Sequence, residues 1–342
     1  MTRPVLLSLV LLASLVTGCR DGQSRPTAPQ NEVVVYTALD REFSEPILKK
    51  FKTLTGIQPV VVYDTEAAKT IGLVNRIRGE AKRPRCDVFW NNEILNTLRL
   101  KSEGLLARCD PPQAKNYPPQ FGDPDGYWYG FAARARVLIV NTNLVRPEEV
   151  PASIRDLADA KWRGRTGIAK PLFGTTATHV ACLFAKLGDE PARRLLESFK
   201  ANGVRILQGN KACAEMVGRG ELAFALTDTD DALGEIDAGR PVKIVFPDAD
   251  GMGTLLLPNA LSMVRGAPHP EAAAKLIDYL VSPEVEALLA EGPSAQIPLN
   301  SQTKAVSRAG RLADIHPMQV DFSAAADRFA TAAAYIEKQF LE

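Results

Sequence analysis

The chain has 342 residues, a formal net charge of +1, 46% hydrophobic residues and 24% charged residues. That balance describes a globular protein and gives no global pull toward nucleic acid or anionic lipid. No stripe of Lys and Arg with interleaved aromatics occurs, so nucleic acid is set aside as a partner.

Met1 to Cys19 carries one basic residue, Arg3, then an apolar and small-residue run ending in Gly18-Cys19. The stretch from Val5 to Val16 falls short of the ~20 residues needed to span a bilayer and reads as the apolar core of a secretory signal. Leu15-Val16-Thr17-Gly18-Cys19 has the pattern at which bacterial lipoproteins are acylated and cut. It predicts a lipoprotein signal peptide over residues 1–19 and a mature chain lipid-anchored through Cys19. An ordinary signal peptide with an incidental cysteine is the alternative. Residues 20–31, with Gly22, Ser24, Pro26 and Pro29 among polar neighbours, cannot bury a core and read as a tether. The roughly 310 residues that follow are too long for one compact core and predict two lobes.

Strand and helix patterns then alternate. Val33–Tyr36 predicts a strand, Glu45–Leu54 a helix, Pro59–Tyr63 a strand and Ala67–Gly79 a helix stopped by glycine. Asp87–Trp90 is a third strand, followed by a helix over Glu93–Glu103. Arg136–Asn141 and Thr166–Ala169 read as strands, with helices at Ala177–Leu187, Pro191–Asn202 and Ala212–Gly218 before the strand Leu222–Leu226. Lys243–Phe246 and Gly253–Val264 return to strand, and helices at Pro270–Val281, Pro283–Gly292 and Ala324–Leu341 close the chain. Near-continuous apolar strands between amphipathic helices predict an α/β fold on a parallel sheet covered on both faces.

Four cysteines besides Cys19 are present: Cys86, Cys109, Cys182 and Cys213. An even number in an exported chain favours disulfides. Three pairings exist; Cys86–Cys109 and Cys182–Cys213 each close a short loop within one lobe. A metal site is a poorer account, with no CxxC spacing and the histidines scattered at His179, His269 and His316. Buried free thiols are the remaining alternative.

No P-loop, G-x-G-x-x-G, H-E-x-x-H or G-x-S-x-G occurs, and nothing positive argues for an enzyme. A binding cleft is better supported. Ligands of such sheets sit beyond the carboxyl ends of strands. The segments there are small and polar: Thr37–Asp40, Asp64–Ala67, Asn91-Asn92-Glu93, Phe173–Thr176 and Thr227–Asp231. Gly174–Ala177 enters a helix, where unpaired N–H groups and hydroxyls suit an anion. Arg134 or Arg136, on one face of a strand, offers a charge partner. Asp228, Asp230 and Asp231 read either as a cluster for a metal or cationic group or as helix caps.

The lipoprotein motif, V-V-V-Y-T-A-L-D, C-D-V-F-W-N-N-E, A-R-A-R-V-L-I-V-N-T-N, P-L-F-G-T-T-A-T, A-F-A-L-T-D-T-D-D-A, S-P-E-V-E-A-L-L-A, I-P-L-N and H-P-M-Q-V-D-F together resemble the periplasmic iron(III)-binding family. These are the extracellular solute-binding proteins of ABC importers. The resemblance implies a two-lobed periplasmic-binding-protein fold of the two-crossover type, with the ligand cleft between lobes. Residues 32–136 and 254–303 would form one lobe, and 137–253 and 304–342 the other. It implies capture of ferric iron, or another hard metal, with a synergistic phosphate or carbonate. Its partners would be permease and ATPase subunits, and the chain a monomer in the periplasm or at the cell surface. Residue by residue, the resemblance assigns metal ligation to Asp40, Glu93, Asp230 and Asp231, with Asn92 beside them. The anion falls to Thr175, Thr176, Ala177 and Asn210, with Arg134 and Asp228 completing the binding set. The family's adjacent tyrosine pair is replaced here by Asp230-Asp231, carboxylates that suit several hard cations. A receptor for a phosphorylated or carboxylated organic solute, and a sensory lipoprotein without a transporter, remain as alternatives.

Overall fold

The computed structural model describes residues 31–64 and 71–342. The signal peptide, Cys19, most of the tether, the Thr65–Ala67 loop and the predicted start of the second helix lie outside the described residues. The chain runs β1 (Glu32–Thr37), α1 (Arg41–Thr55), β2 (Gln58–Tyr63), α2 (Ile71–Gly79), β3 (Val88–Asn91), α3 (Leu95–Ser102), β4 (Leu106–Ala107) and β5 (Tyr129–Asn141). It continues through β6 (Thr166–Ala169), α4 (Gly174–Leu187), α5 (Asp189–Ala201), β7 (Arg205–Leu207), α6 (Asn210–Gly218), β8 (Phe224–Asp228) and α7 (Thr229–Asp237). β9 (Val242–Val245), β10 (Leu256–Val264), α8 (Pro270–Leu280), α9 (Pro283–Glu291) and α10 (Phe322–Tyr335) complete it.

β-Branched and aromatic residues build the strands, and the helices between them bury one apolar stripe each. α1 lays Ile47, Leu48 and Phe51 on the sheet and stops at Gly56, whose φ of 73° lies in the left-handed region that glycine enters without a Cβ penalty. The strand order is β2-β1-β3-β10-β5-β8-β6-β7. β1 pairs in parallel with β2 and β3, and β6 with β7 and β8. β5 and β10 run antiparallel to their neighbours, so the sheet is mixed rather than wholly parallel.

β5 is the strand that crosses between the lobes. Its first part, through Ala135, pairs with β10, and Arg136–Val140 pairs with β8. The strand begins at Tyr129, well before the predicted Arg136, because the Ala-Arg-Ala-Arg stretch owes its extension to the β10 ladder rather than to β-branched side chains. The register shifts between Pro258 and Asn259 opposite Ala132, which adopts a φ of 41°. Two buried groups over-determine that strained residue. The Glu286 carboxylate accepts its N–H at 2.8 Å, and the Asn259 amide donates to its carbonyl. This pin sits two residues before Arg134 and fixes the line along which the cleft arginines point.

Helix α10 lies across both lobes. Phe322 and Phe329 share a core with Ile94 and Leu98 of the first lobe and Ala177 and Ala181 of α4. The Arg99 guanidinium stands 5.0 Å from the Phe329 ring centre. Beyond Tyr335 the predicted continuation to Leu341 loosens into a π turn over Ile336–Phe340.

Neither predicted disulfide is present: Cys86, Cys109, Cys182 and Cys213 are free thiols. Cys86 donates to the Val88 carbonyl at 3.2 Å inside an apolar cluster with Tyr36, Phe89 and Leu106. Cys182 and Cys213 serve as small apolar groups in the large core with Ala181, Ala214 and Val217. Burial pushes the Cys213 thiol up to about 12 and raises Cys86 and Cys182 as well, which keeps them protonated and unreactive. An even count of cysteines says nothing of their geometry, and three of these four are core residues. In native protein, mass mapping after brief alkylation is expected to find Cys109 modified and Cys86, Cys182 and Cys213 protected until unfolding. A disulfide-linked peptide pair would contradict the assignment.

Candidate functional site in the interlobe cleft

Side chains alternate along a strand, so Arg134 and Arg136 emerge on one face of β5. The lobe junction passes between them. Arg134 sits opposite Leu257 in the β10 ladder, and Arg136 sits directly opposite Asp228 in the β8 ladder. Both are buried, Arg136 completely.

Arg136 is the hub. One guanidinium nitrogen donates to Asp228 Oδ1 at 2.7 Å, to Asn210 Oδ1 at 3.0 Å and to Thr175 Oγ1 at 3.2 Å. The other reaches Thr176 Oγ1 at 3.1 Å. Asp228 Oδ2 accepts from the Thr175 hydroxyl at 2.7 Å and the Asn210 amide at 3.0 Å. Helices α4 and α6 thus present their first residues to the end of β8. Burial by itself would raise the Asp228 carboxyl, but Arg136, Arg134 and the Thr175 hydroxyl together hold it below the usual carboxylate range.

Arg134 links this hub to the acids and to the first lobe. It lies 3.4 Å from both Asp228 Oδ2 and Asp230 Oδ2 and donates to the Asn92 carbonyl at 2.6 Å. Burial opposes its charge, yet Asp230, Asp228, Asp231 and Asp40 together raise its pKa. Asp228, Asp230 and Asp231 can each place one carboxylate oxygen within 4.8 Å of the others. Burial, with Asp228 and Asp40 adding to it against Arg134, pushes the Asp230 carboxyl above its ordinary value. Asp40 stands exposed at the head of α1 and makes no capping bond there. Its charge acts on Arg134 and Asp230, less than those of the nearer groups.

The capping alternative is only partly realised. Asp228 occupies the cap position of α7 but makes no side-chain cap bond, because its carboxylate is turned to Arg136. Asp230 accepts from the Asp231 N–H at 3.2 Å. Ala177 contributes no free amide, since its N–H donates to the Phe173 carbonyl at 3.3 Å.

Glu93 does not join the acids. It is fully buried, and its two oxygens accept from Leu95 N at 2.7 Å, Asn96 N at 3.1 Å, the Asn91 amide at 2.9 Å and the Thr178 hydroxyl at 3.1 Å. A metal there would strip α3 of its cap, so the expected ligand role is corrected to a structural one. The Thr178 bond also makes Glu93 a link between the lobes. His179, absent from the predicted set, is buried in α4 beside Arg136 and Asp228, with both ring nitrogens unpartnered among the described residues.

A cleft lined by charge, crossed by one strand and bridged by reversible contacts defines a clamshell that captures a small solute. The chain belongs to the family of bacterial extracellular solute-binding proteins, whose signature spans residues 96–324. It is 29% identical over 315 residues to "Iron uptake protein A1" of Synechocystis sp., covering 86% of this chain and 85% of that protein. It is 26% identical over 302 residues to the "Putative 2-aminoethylphosphonate-binding periplasmic protein" of Salmonella typhimurium, covering 85% of this chain and 83% of that one. The fold matches the crystal structure of iron-bound HitA from Pseudomonas aeruginosa with a TM-score of 0.79, at 24% identity, over 89% of this chain and 99% of that chain.

Burial, then Arg136, push the His179 pKa down to about 3, with Asp228 opposing them. The unfolded chain therefore binds a proton that the folded chain refuses, and stability rises with pH between about 3 and about 6.5. His179→Leu is expected to flatten that slope by up to about 1.4 kcal/mol per pH unit, read by urea unfolding across the window. An unchanged slope would show that His179 is not held neutral.

Proposed function

We propose that this protein captures ferric iron, or a similarly hard cation, in the interlobe cleft and delivers it to an ABC permease and its ATPase. One observation carries the reading: Asp228, Asp230 and Asp231 each place a carboxylate oxygen within 4.8 Å of the others beside Arg134, and the charge of Asp40 acts on the same arginine. Carboxylates crowded this closely favour a cation, in keeping with an Asp230 carboxyl raised first by burial and then by Asp228 and Asp40. Hard oxygen donors suit iron(III). The iron-related names of the Synechocystis and Pseudomonas proteins point the same way. In this reading Asp40, Asp230 and Asp231 hold the cation, and Asp228 keeps to Arg136.

An organic phosphonate or phosphate, as the Salmonella relative's name suggests, is less well served. The Thr175 hydroxyl and Asn210 amide that would hold its anionic end already donate to Asp228. We further assign lobe borders at residues 136/137, 253/254 and 303/304; the change of β5 partner between Ala135 and Arg136 supports the first to within one residue. Lipid attachment at Cys19 rests on the Leu15–Cys19 motif, and the mass of the mature N-terminal peptide reads it.

Asp230→Ala combined with Asp231→Ala is expected to cut ferric iron affinity by about 100-fold or more, roughly 2.7 kcal/mol, in chelator competition. Wild-type binding is expected to weaken as pH falls, because protons compete with the cation for Asp230. Iron binding that survives the double change would reduce the acids to helix-end residues and sink the proposal.

A further inference from the structure

The donors at the head of α4 and the start of α6 are of the kind that would grip an oxyanion. Each already has one. Thr175 Oγ1 and Asn210 Nδ2 both donate to Asp228 Oδ2, at 2.7 Å and 3.0 Å, and Arg136 donates to Asp228 Oδ1 at 2.7 Å. Arg134 approaches Oδ2 from the other lobe at 3.4 Å. Three of these contacts fall on Oδ2 and one on Oδ1, so Oδ2 is fully engaged. The carboxylate arrives from the last residue of β8, directly across the ladder from Arg136, so the backbone register itself delivers it.

We propose that Asp228 is a built-in counter-anion, filling the oxyanion position of the cleft so that the cation is taken up without a free phosphate or carbonate. The inference rests on the cation reading only for what occupies the acid side. An incoming phosphate would have to displace a carboxylate that is 1% exposed and then sit beside Asp230 and Asp231, adding negative charge where carboxylates already crowd. The displaced Asp228 would find no other guanidinium, because Arg134 and Arg136 are its only ion-pair partners among the described residues. Removing the carboxylate has the opposite consequence. It leaves a fully buried guanidinium, a hydroxyl and an amide facing an opening with no acceptor, which is the demand that a free oxyanion satisfies.

The test uses inorganic phosphate on the metal-free protein, followed by calorimetry, with Asp228→Ser as the opening variant. Wild type is expected to show no saturable phosphate binding in the millimolar range. Asp228→Ser is expected to bind phosphate at least about tenfold more tightly than wild type, and Asp228→Asn serves in its place should the serine variant not fold. In a second arm, loading of wild type from ferric nitrilotriacetate is expected to change by less than about twofold when phosphate or carbonate is added, whereas the variant gains affinity with phosphate. Saturable phosphate binding by wild type that Thr175→Val abolishes would overturn the proposal. So would wild-type iron loading that requires an added oxyanion, or a folded variant as indifferent to phosphate as wild type. If wild type takes no ferric iron in any buffer while the phosphate arm behaves as stated, the cation reading fails and the assignment of Asp228 stands.

Discussion

The buried pair of Arg136 and Asp228 is the interaction on which the rest of the cleft depends. It joins the crossing strand to β8 and draws Thr175, Thr176 and Asn210 toward one point. Taking two such charges out of water is costly, and attraction offsets the cost only when the remaining lone pairs and protons are satisfied. Here Asp228 Oδ2 takes three contacts and Oδ1 one, and of the Arg136 nitrogens only Nε lacks a partner. Loss of either partner would leave an uncompensated buried charge, a penalty of about 3–5 kcal/mol. The pair thus acts as a fixed frame that does not yield when a ligand arrives.

Around that frame the charges are unequal by design of the sequence. Asp228 is neutralised on the spot, whereas Asp230 and Asp231 share the attention of Arg134 with Asp40. Arg134 also ties the acids to the Asn92 carbonyl of the first lobe, and Glu93 reaches Thr178 of the second. Hydrogen bonds of this kind contribute about 0.5–1.5 kcal/mol each, small beside the apolar core that α10 shares with Ile94 and Leu98 on one side and Ala177 and Ala181 on the other. The strained Ala132, held by Glu286 and Asn259 beside the junction, keeps the rest of β5 rigid. In the proposed function, capture and release follow from the difference between the affinity of the acid cluster for a cation and interlobe hydrogen bonds that are individually weak.

Much of this was legible in the sequence, for physical reasons that also mark where it was not. The alternating strands and helices announced themselves because Val, Ile and aromatic runs need a sheet and the helices carry one apolar stripe. Asn92 after β3, Thr175 after β6 and Asp228 at the end of β8 do meet at Arg134 and Arg136, because β1 and β3 run opposite to β6 and β8 and their carboxyl ends face each other. The opening of β5, Tyr129–Ala132, escaped notice because Gly130 and the alanines after Phe131 break the run of strand-forming residues; its pairing with β10 extends it. Glu93 was misread because a carboxylate that caps a helix and one that binds a metal look alike until the amides of Leu95 and Asn96 are seen beneath it. Arg136 outranks Arg134 through register with Asp228, and register is invisible in a single strand. His179 gave no signal, being a lone polar residue in an apolar helix. The cysteines misled because burial, rather than export, decides what Cys86, Cys182 and Cys213 do.

The most direct test of this account is a crystal structure of the iron-loaded protein with the metal located by anomalous scattering. The account predicts an iron peak among the carboxylates of Asp40, Asp230 and Asp231, with Asp228 still bonded to Arg136, Thr175 and Asn210. A metal peak elsewhere, or an iron held by Asp228 with a free oxyanion seated on Arg136, would contradict it.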